Sequence, residues 1–126
     1  MNGLHLLADL RDCAATPLLN DAALLRACCL EAVAASGLEA VGQVFHPFVG
    51  PDGQAQGVTG VVLLAESHVA VHTWPESGAV TADVYVCNVG ADNSARAEGL
   101  LQALVAAFAP GAQFVRRVVR GVSEGR

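Results

Sequence analysis

The sequence predicts an α/β chain of the α+β kind, a two-layer sandwich with two helices on one face of a largely antiparallel sheet. Three observations predict it. Two segments carry apolar residues at helical spacing between capping signals. Several shorter segments rich in β-branched residues stand before, between and after them. The links are short, so the order strand, helix, strands, helix, strand folds back on itself in two layers. With 126 residues the chain is expected to form a single domain, 1–126.

Asn2 to Arg11 alternates weakly and is read as the first strand. Asn20 or Asp21 can cap a helix that runs to about Ser36, with Gly37 at its end. Leu24, Leu25, Cys28, Cys29, Ala32 and Val33 form its expected buried stripe. Leu38 to Phe48 reads as a strand, and the glycine-rich Val49 to Gly57 as a loop. Val58 to Leu64, Val69 to Thr73 and Val80 to Cys87 read as three more strands. Asp92 or Asn93 caps a second helix with the stripe Leu100, Leu101, Leu104, Val105 and Phe108, ended by Pro110 and Gly111. Gln113 to Arg120 is the last strand, and the tail from Gly121 is expected to be loose. The strands carry apolar residues at both parities, Val61 to Leu64 among them. A second covered sheet face, and hence a dimer, is expected.

Hydrophobic residues make up 53% and charged residues 15%, which excludes a disordered chain. The net charge of −5 argues against nucleic acid as a partner. No apolar stretch reaches the roughly 18 residues of a membrane span. No basic region precedes an apolar one at the start, so no signal peptide is expected. Four cysteines without a CxxC spacing fit neither a disulfide framework nor a zinc site, and point to the cytoplasm. All seven basic residues are arginine. A chain without lysine cannot hold pyridoxal phosphate as a Schiff base.

The unusual chemistry lies in Ala65-Glu66-Ser67-His68-Val69-Ala70-Val71-His72-Thr73-Trp74-Pro75-Glu76. On a strand His68 and His72 share a face about 13 Å apart, too far to ligate one metal ion, so no metal is expected. Ser67 is not in a GxSxG elbow, which argues against a serine hydrolase. A turn serine with two half-buried strand histidines remains the bland alternative, but it must account for the whole cluster.

These residues carry a resemblance. Gly57-Val58-Thr59-Gly60, then Glu66 through Glu76, and on to Asp83 and Cys87 are similar to the small prokaryotic S-adenosylmethionine decarboxylases. His5-Leu6, Ser36-Gly37 and Phe45-His46-Pro47-Phe48 extend the likeness over nearly the whole chain. The resemblance implies a proenzyme that cuts its own Glu66–Ser67 bond, giving a 1–66 β chain and a 67–126 α chain. Ser67 would become a covalent pyruvoyl group, the cofactor that forms a Schiff base with the substrate in place of pyridoxal phosphate. His72 is implied as the proton acceptor in processing and Thr59 as the assisting hydroxyl, where the family usually has serine. Cys87 is implied as the proton donor to the substrate carbon, Glu76 as the grip on the ribose hydroxyls, and Phe48 as the adenine stack. The implied product, decarboxylated S-adenosylmethionine, feeds spermidine synthesis.

Val49 to Gln56 is longer than in relatives, and Ser77-Gly78-Ala79-Val80 and Val86-Cys87-Asn88 also depart from the family pattern. The departures lie near the implied substrate pocket. Ornithine or arginine as substrate therefore stays open, as does an uncleaved, non-catalytic binding paralogue.

Strand geometry adds one expectation of its own. If Ala65 to His68 form a hairpin loop, Leu64 lies near Val69 and His72 lies opposite about Val61, close to Thr59. Ser67 then sits at the tip, about 13–16 Å from His72. A homodimer of αβ units would close that gap, with Ser67 and Cys87 of one protomer meeting Thr59, His72, Glu76 and Phe48 of its mate.

Overall fold

A computed structural model describes residues 1–121. The chain runs β1 (Asn2–Arg11), α1 (Thr16–Asn20), α2 (Ala22–Ser36), β2 (Ala40–Val49), β3 (Ala55–Leu64) and β4 (Ser67–Trp74). After a 3₁₀ turn at Pro75–Ser77 come β5 (Ala79–Cys87), α3 (Ser94–Phe108) and β6 (Ala112–Gly121). The six strands form one sheet in the order β2-β3-β4-β5-β1-β6, antiparallel at every step. Both long helices pack on one face, against each other and against the sheet. This is the expected two-layer architecture. Of the expected tail, Gly121 closes β6 opposite Asn2, and 122–126 lie outside the described residues.

Strand alternation decides which face each side chain meets. Leu4, Leu6, Ala8 and Leu10 of β1 and Val80, Ala82, Val84 and Val86 of β5 are buried beneath the helices. Their odd-numbered neighbours, with Thr59 and Val61 of β3 and His68, Ala70 and His72 of β4, line the opposite, open face. That face keeps apolar groups in solvent, including Val44, Leu63, Trp74 and Phe114.

The helices end where their caps require. Asp21 Oδ1 accepts from the Ala23 and Leu24 N–H groups, a cap that contributes about 1 kcal/mol. Gly37 closes α2 with a left-handed φ of 85°. The α2 stripe is narrower than expected: Leu25, Cys29, Ala32 and Val33 are buried, Leu24 is exposed and Cys28 half-buried. A step of one residue turns about 100° round a helix, so Leu24 and Cys28 turn away from the buried line through Leu25 and Cys29, whereas Ala32 and Val33 straddle it and are both covered. α1 is a single turn carrying Pro17, too short to show a period. At α3 the Asn93 side chain caps no helix N–H. The Ser94 N–H instead finds Asp92 Oδ1 at 2.9 Å, and that bond holds the Asp92 carboxyl below its usual range.

The β3–β4 hairpin departs from expectation. Leu64 pairs with Ser67 and Thr59 with His72, so the loop is two residues, Ala65 and Glu66. Val69 pairs with Val62 rather than Leu64, and Val61 faces Ala70 rather than His72. Ser67 is therefore the first residue of β4 and not the loop tip. Glu66 takes a φ of +68°, a turn position that favours glycine or asparagine. Among the described residues no helix is long and apolar enough to cross a membrane.

Candidate active site

The residues singled out by the sequence fall into two groups. The first centres on Thr59 and His72, which face each other across β3 and β4. Thr59 Oγ1 lies 3.1 Å from His72 Nδ1, a hydrogen bond that orients the ring. His46 continues the row on β2 opposite Thr59, and Phe48 packs edge-on to His46 with ring centroids 4.8 Å apart. On the other side the His72 ring stacks on Trp74 at 6.1 Å. Glu76 follows on the 3₁₀ turn and lines an open groove of 570 Å³ with Asp52, Gln54 and Gln56.

Thr73 braces this end from below. It is buried, donates to the Leu19 carbonyl at 2.8 Å and accepts from the Val58 N–H at 2.8 Å. One hydroxyl thus ties α1 and β3 to the strand just before Trp74-Pro75-Glu76. Gly57 lets the chain pass close to it: its φ is +115°, and any Cβ there would meet the Thr73 carbonyl.

The second group centres on Ser67. The chain runs unbroken from Glu66 into β4, and Ser67 Oγ accepts the Cys87 N–H at 3.1 Å. The Cys87 thiol contacts the Tyr85 hydroxyl at 3.7 Å, a bond that pushes the Tyr85 phenol up. The Cys87 carbonyl in turn accepts from Asn93 Nδ2 at 3.0 Å, which links this end to the start of α3.

Ser67 and His72 are not brought together within the chain. Five residues of β4 separate them, roughly 16 Å at 3.3 Å per residue. They also differ in parity, so their side chains leave opposite faces.

A third cluster was missed by sequence reasoning, although each of its members had been noted in a motif. His5 (β1), His68 (β4) and Asp83 (β5) bring ligand-type atoms within 4.8 Å of one another on the open face. Spacing along one strand relates His68 only to His72 and fixes no distance to residues on other strands. Asp83 Oδ2 lies 2.9 Å from His5 Nε2 and 3.4 Å from His68 Nε2. Arg120 Nη1 lies 2.9 Å from His5 Nδ1. A guanidinium can only donate, so His5 Nδ1 accepts and its proton rests on Nε2, pointing at Asp83. In that tautomer Nε2 is a hydrogen-bond donor rather than a metal ligand. Only the strand order β4-β5-β1 juxtaposes these residues.

The family profile described as S-adenosylmethionine decarboxylase matches residues 4–121. The chain belongs to that family. A relative from Parasynechococcus marenigrum, named S-adenosylmethionine decarboxylase proenzyme, is 41% identical over 87 residues. That match covers 69% of this chain and 63% of the relative, a little under two thirds of its length. A proenzyme of the same name from Pyrococcus horikoshii is 34% identical over 122 residues, covering 97% of this chain and 81% of its own. Among solved structures, the crystal structure of the adenosylmethionine decarboxylase from Aquifex aeolicus superposes with a TM-score of 0.83 at 31% identity. That likeness covers 98% of this chain and 94% of the other, and it bears out both the family and the sandwich fold.

Proposed function

We propose that this chain is a self-processing, pyruvoyl-dependent S-adenosylmethionine decarboxylase, cut between Glu66 and Ser67 and working in the cytoplasm as a homodimer. The observation that carries the reading is the setting of Ser67. Its hydroxyl oxygen accepts the Cys87 N–H at 3.1 Å, directly after a residue whose φ is +68°. The N–H favours negative charge on that oxygen and so favours its attack. Left-handed backbone costs an L-residue of order 1–2 kcal/mol, which breaking the Glu66–Ser67 bond releases.

The processing chemistry needs only the chain and water. Ser67 Oγ bonds to the Glu66 carbonyl carbon, and the Glu66–Ser67 C–N bond breaks, leaving an ester and a free amino group. His72 takes the Cα proton of residue 67, and the Cβ–Oγ bond breaks with the oxygen leaving in the Glu66 carboxylate. The remaining enamine becomes an imine, and water replaces its nitrogen, which departs as ammonia. When His72 donates its Nδ1–H to Thr59, Nε2 carries the lone pair that a base needs. The ketone left at position 67 supplies the electron sink for decarboxylation, a task that a chain without lysine cannot give to pyridoxal phosphate. Cys87 returns the proton to the substrate carbon, Glu76 accepts hydrogen bonds from the ribose diol, and Phe48 stacks on adenine.

A base must come within about 3 Å of its proton, and the span along β4 forbids this inside one chain. A two-fold dimer with open faces together supplies His72, Thr59, Glu76 and Phe48 from the mate. The exposed apolar groups on that face support this arrangement. One observation keeps a basic amino acid as the second substrate reading. The groove beside Glu76 also holds Asp52, from the loop between β2 and β3, and two carboxylates suit a cation.

Intact-mass analysis tests the proposal. The wild type should give two fragments, the second beginning with a pyruvoyl group at position 67 and blocked to Edman sequencing. Ser67→Ala should stay a single inactive chain of 12.9 kDa. Cleavage of that variant after Glu66, or an uncut wild type, overturns the reading. Carbon dioxide release from S-adenosylmethionine, ornithine and arginine then decides the substrate.

A further inference from the structure

We propose that Asp83 is a positioning residue that, through His68, anchors the end of β4 once the Glu66–Ser67 bond is gone. The inference rests on the processing reading above and asks what holds position 67 afterwards. In the uncut chain Ser67 is held three ways: by its peptide bond to Glu66, by its pairing with Leu64, and by the Cys87 N–H on its Oγ. Processing breaks the first and carries Oγ away in the Glu66 carboxylate, so the third loses its acceptor. The new terminus then has one covalent tether, the amide to His68.

His68 has a side-chain contact of its own. Its Nε2 reaches Asp83 Oδ2 at 3.4 Å, and the same oxygen accepts from His5 Nε2 at 2.9 Å. Arg120 completes the line by donating to His5 Nδ1 at 2.9 Å. The line crosses from β4 through β5 and β1 to β6 and joins the two fragments, since His5 lies in 1–66 and the other three in 67–126. The sheet does not need it to form, because His68 pairs with Tyr85 through the backbone ladder in any case. A reactive ketone must keep its place against the substrate within a fraction of an ångström for efficient reaction. A frayed strand end would lose that, since terminal residues open most readily.

Hydrogen exchange over residues 68–71, compared in cut and uncut protein, tests the proposal. In the processed enzyme Asp83→Ala should speed exchange there by about tenfold, because only the covalent tether and the fraying end of the strand ladder are left. In a Ser67→Ala background, which stays uncut, the same substitution should change it less than about twofold. Asp83→Asn, which keeps an acceptor oxygen at the same reach, should restore most of the protection. In steady state the processed Asp83→Ala enzyme should lose at least about tenfold in kcat for S-adenosylmethionine with KM within about threefold. Unchanged exchange in the cut protein overturns the proposal. So does equal loosening in the uncut chain, which would make Asp83 a general sheet brace. If Asp83→Ala does not fold, His5→Ala carries the same comparison, and wild-type exchange in its cut form overturns the proposal equally. A wild type that is never cut rejects the processing reading itself, and the two failures are told apart by the mass spectrum.

Discussion

Thr59 and His72 show how much depends on one hydroxyl. Thr59 Oγ1 sits 3.1 Å from His72 Nδ1 on a half-buried face, and with Nδ1 as donor this bond leaves the lone pair on Nε2, the nitrogen that the proposed processing would use. Thr59→Val keeps the shape and β-branching but removes the bond. It should slow self-cleavage by about 10- to 100-fold, in the range of losing orientation of a general base. Thr59→Ser should cut at close to the wild-type rate, because the hydroxyl is kept. The measurement is the fraction of cut chain against time after refolding. Equal rates for the valine and serine variants would remove Thr59 from processing.

At the scale of the element, α2 couples packing to titration. Cys29 is fully buried, and burial pushes its thiol up from 9.0 to about 12, with the neighbouring Cys28 adding to the rise. The folded chain holds this proton more tightly than the unfolded chain does. The resulting stabilisation is complete below pH 9.0 and is lost as pH rises towards about 12. The urea midpoint of the wild type should therefore fall between pH 9.0 and 11 more steeply than that of Cys29→Ala. Iodoacetamide at about pH 8 should label half-buried Cys28 well before Cys29, since the thiolate is the nucleophile. Parallel urea curves, or equal labelling, would contradict the packing described for α2.

For the whole molecule the central expectation is a site shared between protomers. Ser67→Ala and His72→Ala chains, each dead alone, should regain one competent site when combined in a mixed dimer. Cleavage should fall only on the His72→Ala chain, which still owns Ser67 and borrows His72 from its mate. Purified mixed dimers that stay uncut would mean that the sites are not shared. The expected assembly buries the open face, where Val44 is 71% and Phe114 is 67% exposed in the single chain.

The elements were legible because their signals are local. β1 spans Asn2–Arg11 as read, and α2 ends at Ser36 with Gly37 in left-handed backbone, because period and capping depend only on neighbours in the chain. The motif from Glu66 to Glu76 was legible for the same reason, since its residue types and spacings stand in one stretch. What failed was whatever needed a turn geometry or a second strand. Ala65 and Glu66 carry none of the Asn-Gly chemistry that announces a two-residue hairpin, so the register came out wrong, and with it the position of Ser67. Nor could spacing join His5, His68 and Asp83, which are far apart in sequence and adjacent only because β5 lies between β4 and β1. The sequence by itself determined the two long helices, the strands and the residue types carried along β4. Only the tertiary structure decided the register that sets Thr59 against His72, the Cys87 N–H that holds Ser67, and the side-chain line from Arg120 to His68. Periodicity is a property of neighbours along the chain, whereas register and strand order are settled by how the whole sheet buries its apolar face.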